Sequence, residues 1–320
     1  MSTPLDVDTP QTVHHVISKL RAKLDPFGFE LSPFLVGWYN ELVSMKMRLD
    51  APSPDCVALC LISSPLMFES SFLPLLLSWF EQENVRTLED VLQNLRSQEA
   101  LKVNLPGLND PLDWSVFIRV SNILRCVQEE MKSILTEKEY KTVDSCRFIP
   151  DYNVRSVSRL PLVHVQSAGH VSGAAYYHRV NIKIKELNTT IGCSLHPKYG
   201  GWFGFRGVIL FPNLRYPQLP RPVTRSSLPP GIPPFDTDAL RTLVTEYREH
   251  WRENRWRSTG LDEFTELRYS TTACSFFNTP PALRAQWVER LIAGTKPMCS
   301  TQPVTPSTLI RDQLPLTHPA

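Results

Sequence analysis

The residues of this chain best suited to chemistry are arginines that lie among aromatic residues and glycines. Arg206 stands in the segment 202–211, whose alternating side chains predict a buried β-strand. Gly204 precedes it on the same face, where the missing side chain leaves room beside the guanidinium. Two interpretations are open from the strand alone. A small anion could bind in that room, or the arginine could lean out at a strand end while the glycines serve a twist or bulge.

Further arginines near the last predicted helices could share an anion with Arg206. Arg255 and Arg257 stand at the end of a helical stretch, where a cation favours the helix dipole and needs no ligand. Arg284 falls near the start of the next predicted helix and lacks that explanation. Because a guanidinium binds a carboxylate through two parallel hydrogen bonds, converging arginines would suit a dicarboxylate or a small polyanion.

Histidine and cysteine side chains are weaker candidates. His164, His170 and His178 lie close in sequence, but their spacing matches no zinc signature and no cysteine pair joins them. Cys193 precedes the glycine-rich segment, yet no histidine stands at a recognisable nucleophile spacing. The sequence also lacks a Gly-x-Gly-x-x-Gly fingerprint, a P-loop and a Gly-x-Ser-x-Gly elbow. We therefore predict no metal site and assign no catalytic residue.

The elements that must position these residues form a helical first half and a strand-rich middle. Apolar residues at three- and four-residue steps predict helices, and β-branched and aromatic runs predict strands of one antiparallel sheet. The predicted helices cover 12–24, 33–43, 65–79, much of 81–141, a stretch from 236 or 237 to 251, and a last one capped by Thr279 that ends before Gly294. The predicted strands cover 57–62, 154–166, 171–185 and 202–211, with some helix possible at 173–176.

Composition narrows the class of protein. The 320 residues carry a formal net charge of +2, which gives no electrostatic argument for nucleic acid or an anionic membrane. The most apolar stretch, 57–80, is interrupted by polar residues and is predicted to be core, not a membrane span. The seven cysteines form no Cys-x-x-Cys pair, and the N-terminus lacks an apolar leader, so we expect a cytoplasmic protein with reduced thiols.

The chain is predicted to contain one large domain between two unstructured ends. The flexible lead covers residues 1–12, the domain covers 13–294, and a disordered tail covers 295–320. Within the domain we expect a helical insertion at about 80–109 and an extended proline-rich strap over 212–234.

Seven short motifs resemble one known family. They are DPFGFE at 25–30, VGWYNE at 36–41, SPLMF at 64–68, GHVSGAAYY at 169–177, HPKYGGWFGFRG at 196–207, HWR at 250–252 and TPPALR at 279–284. In this order they are similar to the signature of the CblC family, the methylmalonic aciduria and homocystinuria type C proteins. The resemblance covers most of residues 20–290.

The resemblance implies a fold and two reactions. The fold would be α+β, with an antiparallel sheet like that of nitroreductase-type flavin reductases, flanking helices and a cap that encloses cobalamin. One reaction would remove cyanide from cyanocobalamin reductively, with FMN or FAD and NADPH. The other would transfer the alkyl group of an alkylcobalamin to glutathione. The protein would hold cobalamin base-off, act as a monomer or a ligand-induced homodimer, and pass its product to downstream cobalamin-trafficking proteins.

The resemblance also implies site residues by position. Arg206, Arg257 and Arg284 match the arginines that hold glutathione. The positions that match the cobalamin-lining residues are Asp151, Val163, His164, Val165, Gln166, His170, Tyr177, His178, Arg179, Ser194 and Phe205. Ser194 stands where a cysteine is common in the family. His170 begins a His-x-x-Gly motif, but Ala168 stands where methionine-synthase-like domains have the aspartate that orients this histidine.

Two other classes of function compete with the enzyme. A non-catalytic cobalamin chaperone would bind the same ligand and hand it on without turnover. A plain flavin reductase would use the fold alone and would not alter the cobalamin spectrum.

Overall fold

The computed structural model describes residues 10–82, 85–97, 110–184, 187–222, 237–258 and 267–295. Its contacts divide the chain into two compact units. The first unit contains the chain up to Leu75 and from Leu112 to Asn278, and the second contains Leu76–Pro111 and the chain from Thr279 onward. The single domain expected over 13–294 stays a prediction. Among the described residues, no helix is both long enough and apolar enough to cross a membrane.

The helices surround a sheet-centred core in the first unit and make up the described parts of the second. Their bounds are α1 Pro10–Leu24, α2 Val36–Leu42, α3 Leu73–Phe80, α4 Leu88–Ser97, α5 Pro111–Ile134, α6 Glu137–Asp144, α7 Val165–Val171, α8 Thr237–Glu249, α9 Arg255–Ser258, α10 Thr271–Phe277 and α11 Arg284–Thr295. Helix α1 begins two residues earlier than its apolar pattern predicts. It buries Val13, Ile17, Leu20 and Leu24, which recur at the three- and four-residue steps of one helix face.

Four strands form an antiparallel sheet at the centre of the first unit. They are β1 Phe29–Leu35, β2 Cys56–Ser63, β3 Arg147–Pro150 and β6 Gly204–Arg215, in the order β1-β2-β6-β3. Every residue of β2 is buried, which explains its continuous apolar run and confirms the strand predicted at 57–62. The remaining strands, β4 Tyr176–Ile184 and β5 Leu187–Leu195, pair with each other in a separate two-stranded sheet.

The sequence-based interpretation was wrong in three places in the first unit. Residues 33–35 belong to β1 instead of a helix, because this segment pairs with β2 along its whole length and Pro33 is tolerated on an edge strand. The predicted strand 154–166 is absent. Val154 and Pro161 form only an isolated bridge, and α7 begins at Val165. The hairpin β4–β5 does not join the sheet that contains β6.

The proline-rich strap begins later than predicted. Strand β6 continues through Pro212 to Arg215, because a bulge sits there: Val57 lies opposite Phe211, whereas Cys56 lies opposite Arg215. A proline fits at a bulge, where no ladder N–H is required. The strap from 223, the lead up to residue 9, the insertion at 83–84 and 98–109, and the tail from 296 lie outside the described residues.

The last helix also differs from its prediction. Pro280 caps a 3₁₀ turn over Pro281–Leu283, and α11 starts only at Arg284. The helix then continues through Gly294, which was predicted to follow its end.

Candidate functional site

Arg206 occupies a bulge in the central sheet. Leu61 lies opposite Gly207 and Ile62 lies opposite Phe205, so Arg206 is the extra residue of β6. Gly207 makes the bulge possible, since its φ is +134° and a Cβ there would lie 2.2 Å from the carbonyl oxygen of Ile149. Bulges commonly re-aim a side chain beside a functional site. Here the bulge leaves the Arg206 side chain buried, with 8% of its surface exposed.

The guanidinium of Arg206 lies back over Gly204. Its Nε donates a hydrogen bond of 2.9 Å to the Ser63 hydroxyl oxygen, and a Cβ on Gly204 would lie 2.8 Å from Nη2 of Arg206. The room beside Gly204 is therefore filled by the arginine itself. The interpretation of that room as space for an anion was wrong, because the glycine instead allows the guanidinium to take this position. Any anion must approach the guanidinium from another side.

Arg257 lies among three aromatic rings. Its Cζ is 4.5 Å from the ring centre of Trp256, 5.0 Å from that of Tyr269 and 5.8 Å from that of Trp202. Nε donates to the side-chain oxygen of Asn254 at 2.9 Å, and Nη1 donates to the carbonyl oxygen of Gly201. Stacking and two neutral acceptors thus fix the direction of this guanidinium.

Arg206 and Arg257 act on a common neighbour, the hydroxyl of Tyr269. Burial raises the pKa of Tyr269 above its ordinary value, and the positive charges of Arg257 and Arg206 each oppose that rise. In the part of the chain that the structure describes, no carboxylate forms an ion pair with either arginine. The two side chains therefore form a site with two positive charges that no carboxylate of the described residues compensates, and we call them the arginine pair.

Arg284 differs from the arginine pair in its surroundings. It belongs to the second unit, where Nη1 donates to the carboxylate of Asp110 and Nε donates to the carbonyl oxygen of Thr279 at 3.3 Å. A carboxylate thus already accompanies its charge. The convergence of Arg284 with the arginine pair stays a prediction.

The predicted cobalamin-lining residues of α7 are positioned by the helix start. His164 caps α7, because its Nδ1 accepts from the backbone N–H of Ser167 at 3.3 Å. The backbone N–H of His164 donates to the hydroxyl of Tyr39 at 2.8 Å. His170, at the other end of the helix, accepts from the backbone N–H of Tyr177 at 3.4 Å. Burial, with a smaller effect of the nearby Arg179 charge, lowers the pKa of both histidines, which favours their neutral forms.

The hairpin β4–β5 brings a second group of predicted residues to α7. Tyr177 lies directly opposite Ser194, and Arg179 lies opposite Gly192. The Tyr177 ring crosses over Gly192, where a Cβ would come within 2.0 Å of the ring. The Ser194 hydroxyl is buried and has no hydrogen-bond partner among the described residues. A buried hydroxyl without a partner is costly and marks a place where a polar ligand could bind.

The remaining predicted positions surround the same helix. Phe205 presses on α7 at Gly169, where a Cβ would lie 2.4 Å from the ring. The side-chain amide of Gln166 donates to the carbonyl oxygen of Gly192 at 3.4 Å. Burial lowers the pKa of His178 to about 4, and its ring centre lies 4.6 Å from that of Tyr176. Val163 is buried and Val165 is half-buried, the two flanking His164.

Asp151 lies beside Arg206 of the arginine pair. Its backbone N–H donates to the carbonyl oxygen of Arg206 at 3.3 Å. We call the residues of α7 with its cap His164, the β4–β5 hairpin and Phe205 the α7–hairpin cluster. The structure thus brings most of the predicted ligand residues to one region of the first unit, where α7 packs against both β6 and β4.

Sequence analysis missed a polar group that fixes the turn before β6. The hydroxyl of Tyr199 donates to Glu30, and Nε2 of His196 lies 3.7 Å from the same carboxylate. Nδ1 of His196 accepts from the N–H groups of Lys198 and Tyr199, so its proton sits on Nε2, facing Glu30. Burial lowers the pKa of His196 to about 3.

A cleft of about 550 Å³ opens beside this group. Its wall includes Arg21, Asp25, Glu30 and Tyr199. Ser63, Asn254 and Tyr269 were also missed. Glu30 and Tyr199 could have been found because they fall within the quoted motifs, whereas Ser63, Asn254 and Tyr269 lie outside them and had no such signal. Among the described residues, no group of three histidine, cysteine or acidic side chains could hold a metal ion.

Comparison with known proteins decides the family. The model of the methylmalonic aciduria and homocystinuria type C family matches residues 28–288. The chain belongs to this family. The resemblance of the seven motifs is thereby confirmed.

The relatives and a solved structure agree with that assignment. The mouse cyanocobalamin reductase / alkylcobalamin dealkylase is 34% identical over 269 residues, which cover 83% of this chain and 79% of the relative. The human protein of the same name is 32% identical over 305 residues, covering 94% and 87%. The crystal structure of a C. elegans B12-trafficking protein CblC, a human MMACHC homologue, matches with a TM-score of 0.67 at 23% identity, covering 90% of this chain and 99% of that one. This confirms a mixed fold of helices and antiparallel sheet.

Proposed function

We propose that this chain is an enzyme that binds cobalamin and removes its upper ligand. The names of its relatives support the reaction class. The observation in the structure that carries the proposal is the α7–hairpin cluster, above all the buried Ser194 hydroxyl that lacks a partner among the described residues. The rim of a corrin bears amide groups that could supply that partner. The rings of Tyr177 and His164, with centres 5.6 Å apart, offer apolar contact next to it.

We propose glutathione-dependent dealkylation as the main activity. When cobalamin is bound, its alkyl group passes from cobalt to the glutathione sulfur, and both electrons of the broken bond stay on cobalt. The arginine pair has two tasks in this scheme. It binds the carboxylates of glutathione through charge-assisted hydrogen bonds, and its positive field favours the thiolate over the thiol. The neutral histidines of the cluster would add no charge to that field at pH 7.

The remaining elements of the proposal are broader. Reductive removal of cyanide would use FMN or FAD with NADPH, in a sheet of the nitroreductase type with a cap over cobalamin. Arg284 would contribute to glutathione binding if the second unit brings it to the arginine pair. We also propose a cytoplasmic protein, a monomer or ligand-induced homodimer, that passes its product to cobalamin-trafficking proteins.

The experiment incubates the full chain with methylcobalamin and glutathione under anaerobic conditions. We expect S-methylglutathione to form in step with loss of the methylcobalamin spectrum. Arg206→Gln should slow the reaction and leave cobalamin binding intact, because the substitution removes one charge of the pair. Methylcobalamin that binds but stays unchanged would contradict the proposed enzymatic activity and favour a non-catalytic carrier. NADPH oxidation with added flavin, without any change in the cobalamin spectrum, would favour a plain flavin reductase.

A further inference from the structure

We propose that Ser63 and Asn254 are positioning residues that hold the arginine pair without neutralising it. This inference rests on the proposed use of glutathione and assigns the selectivity for a carboxylate-bearing thiol to these two residues. Neither residue lies in the family motifs quoted from the sequence. Both were found only from their contacts with the guanidinium groups.

Ser63 supports Arg206 at the point where the bulge begins. It is the last residue of β2 and lies opposite Gly204 in the sheet. Its hydroxyl oxygen accepts from Nε of Arg206 at 2.9 Å, and only 1% of its surface is exposed. A hydroxyl accepts a hydrogen bond without carrying a charge. Ser63 therefore fixes the direction of the guanidinium and leaves its charge uncompensated.

Asn254 supports Arg257 from a tight turn. Its φ is +59°, a left-handed conformation that asparagine tolerates better than most residues. Its Nδ2 donates to the side-chain oxygen of Asn278 at 3.2 Å, and the Nδ2 of Asn278 donates to the carbonyl oxygen of Arg252 at 2.8 Å. This chain of hydrogen bonds points the amide oxygen of Asn254 at Nε of Arg257. The acceptor is again neutral.

Arg284 shows the alternative arrangement within the same chain. Its guanidinium pairs with the carboxylate of Asp110, which cancels the charge and uses one face of the guanidinium. Arg206 is buried and Arg257 is half-buried, and a cation withdrawn from water without a counterion is costly unless an anion joins it. Arg206 and Arg257 have only neutral acceptors in the described part of the chain, so an incoming carboxylate supplies the missing counterions. The arrangement selects an anionic thiol over a neutral one.

The test changes charge with little change of shape. Asn254→Asp keeps the oxygen that accepts from Arg257 and adds a negative charge beside the arginine pair. We expect the KM for glutathione to rise by about ten-fold or more. The rate with 2-mercaptoethanol, a thiol without carboxylates, should fall by much less than the rate with glutathione, because that thiol loses only the effect of the positive field on its thiolate. Ser63→Ala should raise the glutathione KM as well, because Arg206 loses the acceptor that directs it.

The chain offers a matched control on α5. There Asn122 accepts from Arg125 at 3.0 Å on the exposed surface, so Asn122→Asp adds the same charge beside an arginine outside the site. This variant should leave the KM for glutathione and the rate with 2-mercaptoethanol unchanged. An unchanged glutathione KM in a folded Asn254→Asp protein would overturn the inference. Equal losses with both thiols, or weakened cobalamin binding, would also overturn it, since they indicate a merely structural role.

A failure of the proposed function can be told apart from a failure of this inference. If the wild type does not dealkylate methylcobalamin with any of the thiols, the proposed function fails. Calorimetric binding of glutathione to the full chain then tests the arginine pair alone. The inference predicts weaker binding by Asn254→Asp than by Asn122→Asp, and equal binding by both contradicts it.

Discussion

A single methyl group on Gly204 should disable the arginine pair. In Gly204→Ala the new Cβ would lie 2.8 Å from Nη2 and 3.1 Å from Cζ of Arg206, and 3.2 Å from the Ser63 hydroxyl oxygen. Real Cβ contacts are essentially never below 3.0 Å, so the guanidinium must move. The backbone of Gly204 is not in the left-handed region, so alanine is strained only by this contact. The perturbation therefore acts on Arg206 and little else.

The size of the effect follows from the contacts that Arg206 would lose. A hydrogen bond to a charged group contributes about 1.5–3 kcal/mol. Loss of one such bond to a glutathione carboxylate corresponds to roughly a 10- to 150-fold higher Kd, at about 1.4 kcal/mol for each factor of ten. The assay measures the glutathione dependence of methylcobalamin dealkylation, with glutathione Kd from calorimetry. Cobalamin affinity serves as the internal control and should stay within about three-fold, since a larger change needs more than ~0.6 kcal/mol. A folded Gly204→Ala protein with the wild-type KM for glutathione would refute the reasoning.

Three further substitutions test other parts of the structure. Gly169→Ala should drive the Phe205 ring away from α7, lower the free energy of unfolding by about 1–3 kcal/mol and weaken cobalamin binding in a spectral titration. His196 has a folded pKa of about 3, below its ordinary 6.5, so its stability contribution is complete above pH 6.5 and is lost as the pH falls towards 3. His196→Asn cannot titrate, and its urea-unfolding free energy should fall less steeply in that window; an identical slope would contradict the assignment. A Cβ on Gly294 would meet no neighbour within 4 Å. Gly294→Ala should therefore raise the melting temperature, because alanine favours a helix over glycine by up to about 1 kcal/mol. A lower melting temperature would contradict the placement of residue 294 within α11.

Strand β2 and helix α1 were predictable because local pattern and tertiary environment agree. The run at 57–62 is apolar throughout, and the structure buries both faces of that strand. Pro212 shows the opposite case. Its proline-rich context predicts an irregular strap, but pairing across a bulge with β2 extends β6 beyond it. Such pairing joins residues about 155 positions apart, so a short stretch of sequence does not contain both partners and cannot predict it.

The segment 154–166 was mistaken for a strand because its β-branched residues dominate the local signal. Its actual conformation depends on His164. The backbone N–H of this residue bonds the hydroxyl of Tyr39, which is 125 positions away, and its ring caps α7. A sequence window contains the histidine but not the tyrosine. The helix start could therefore not be recognised from local pattern alone.

The candidate site, like the fold, could be predicted from the sequence only in part. Arg206 was singled out from residue type and spacing, whereas Arg257 was named from the family resemblance, and the binding of glutathione by both stays a prediction. The acceptors that direct them were not identifiable, since Ser63 is 143 positions from Arg206 and asparagine is common in turns. Gly204 was recognised as unusual, but its purpose became clear only from the position of the guanidinium.

We propose above all that the α7–hairpin cluster binds cobalamin and that the bound cobalamin is base-off. The most direct measurement is the absorption spectrum of cyanocobalamin with and without an excess of the full chain. We predict a shift to the base-off spectrum, and Ser194→Ala should weaken the affinity measured from that shift. A cyanocobalamin spectrum that the protein leaves unchanged at every concentration would contradict the account.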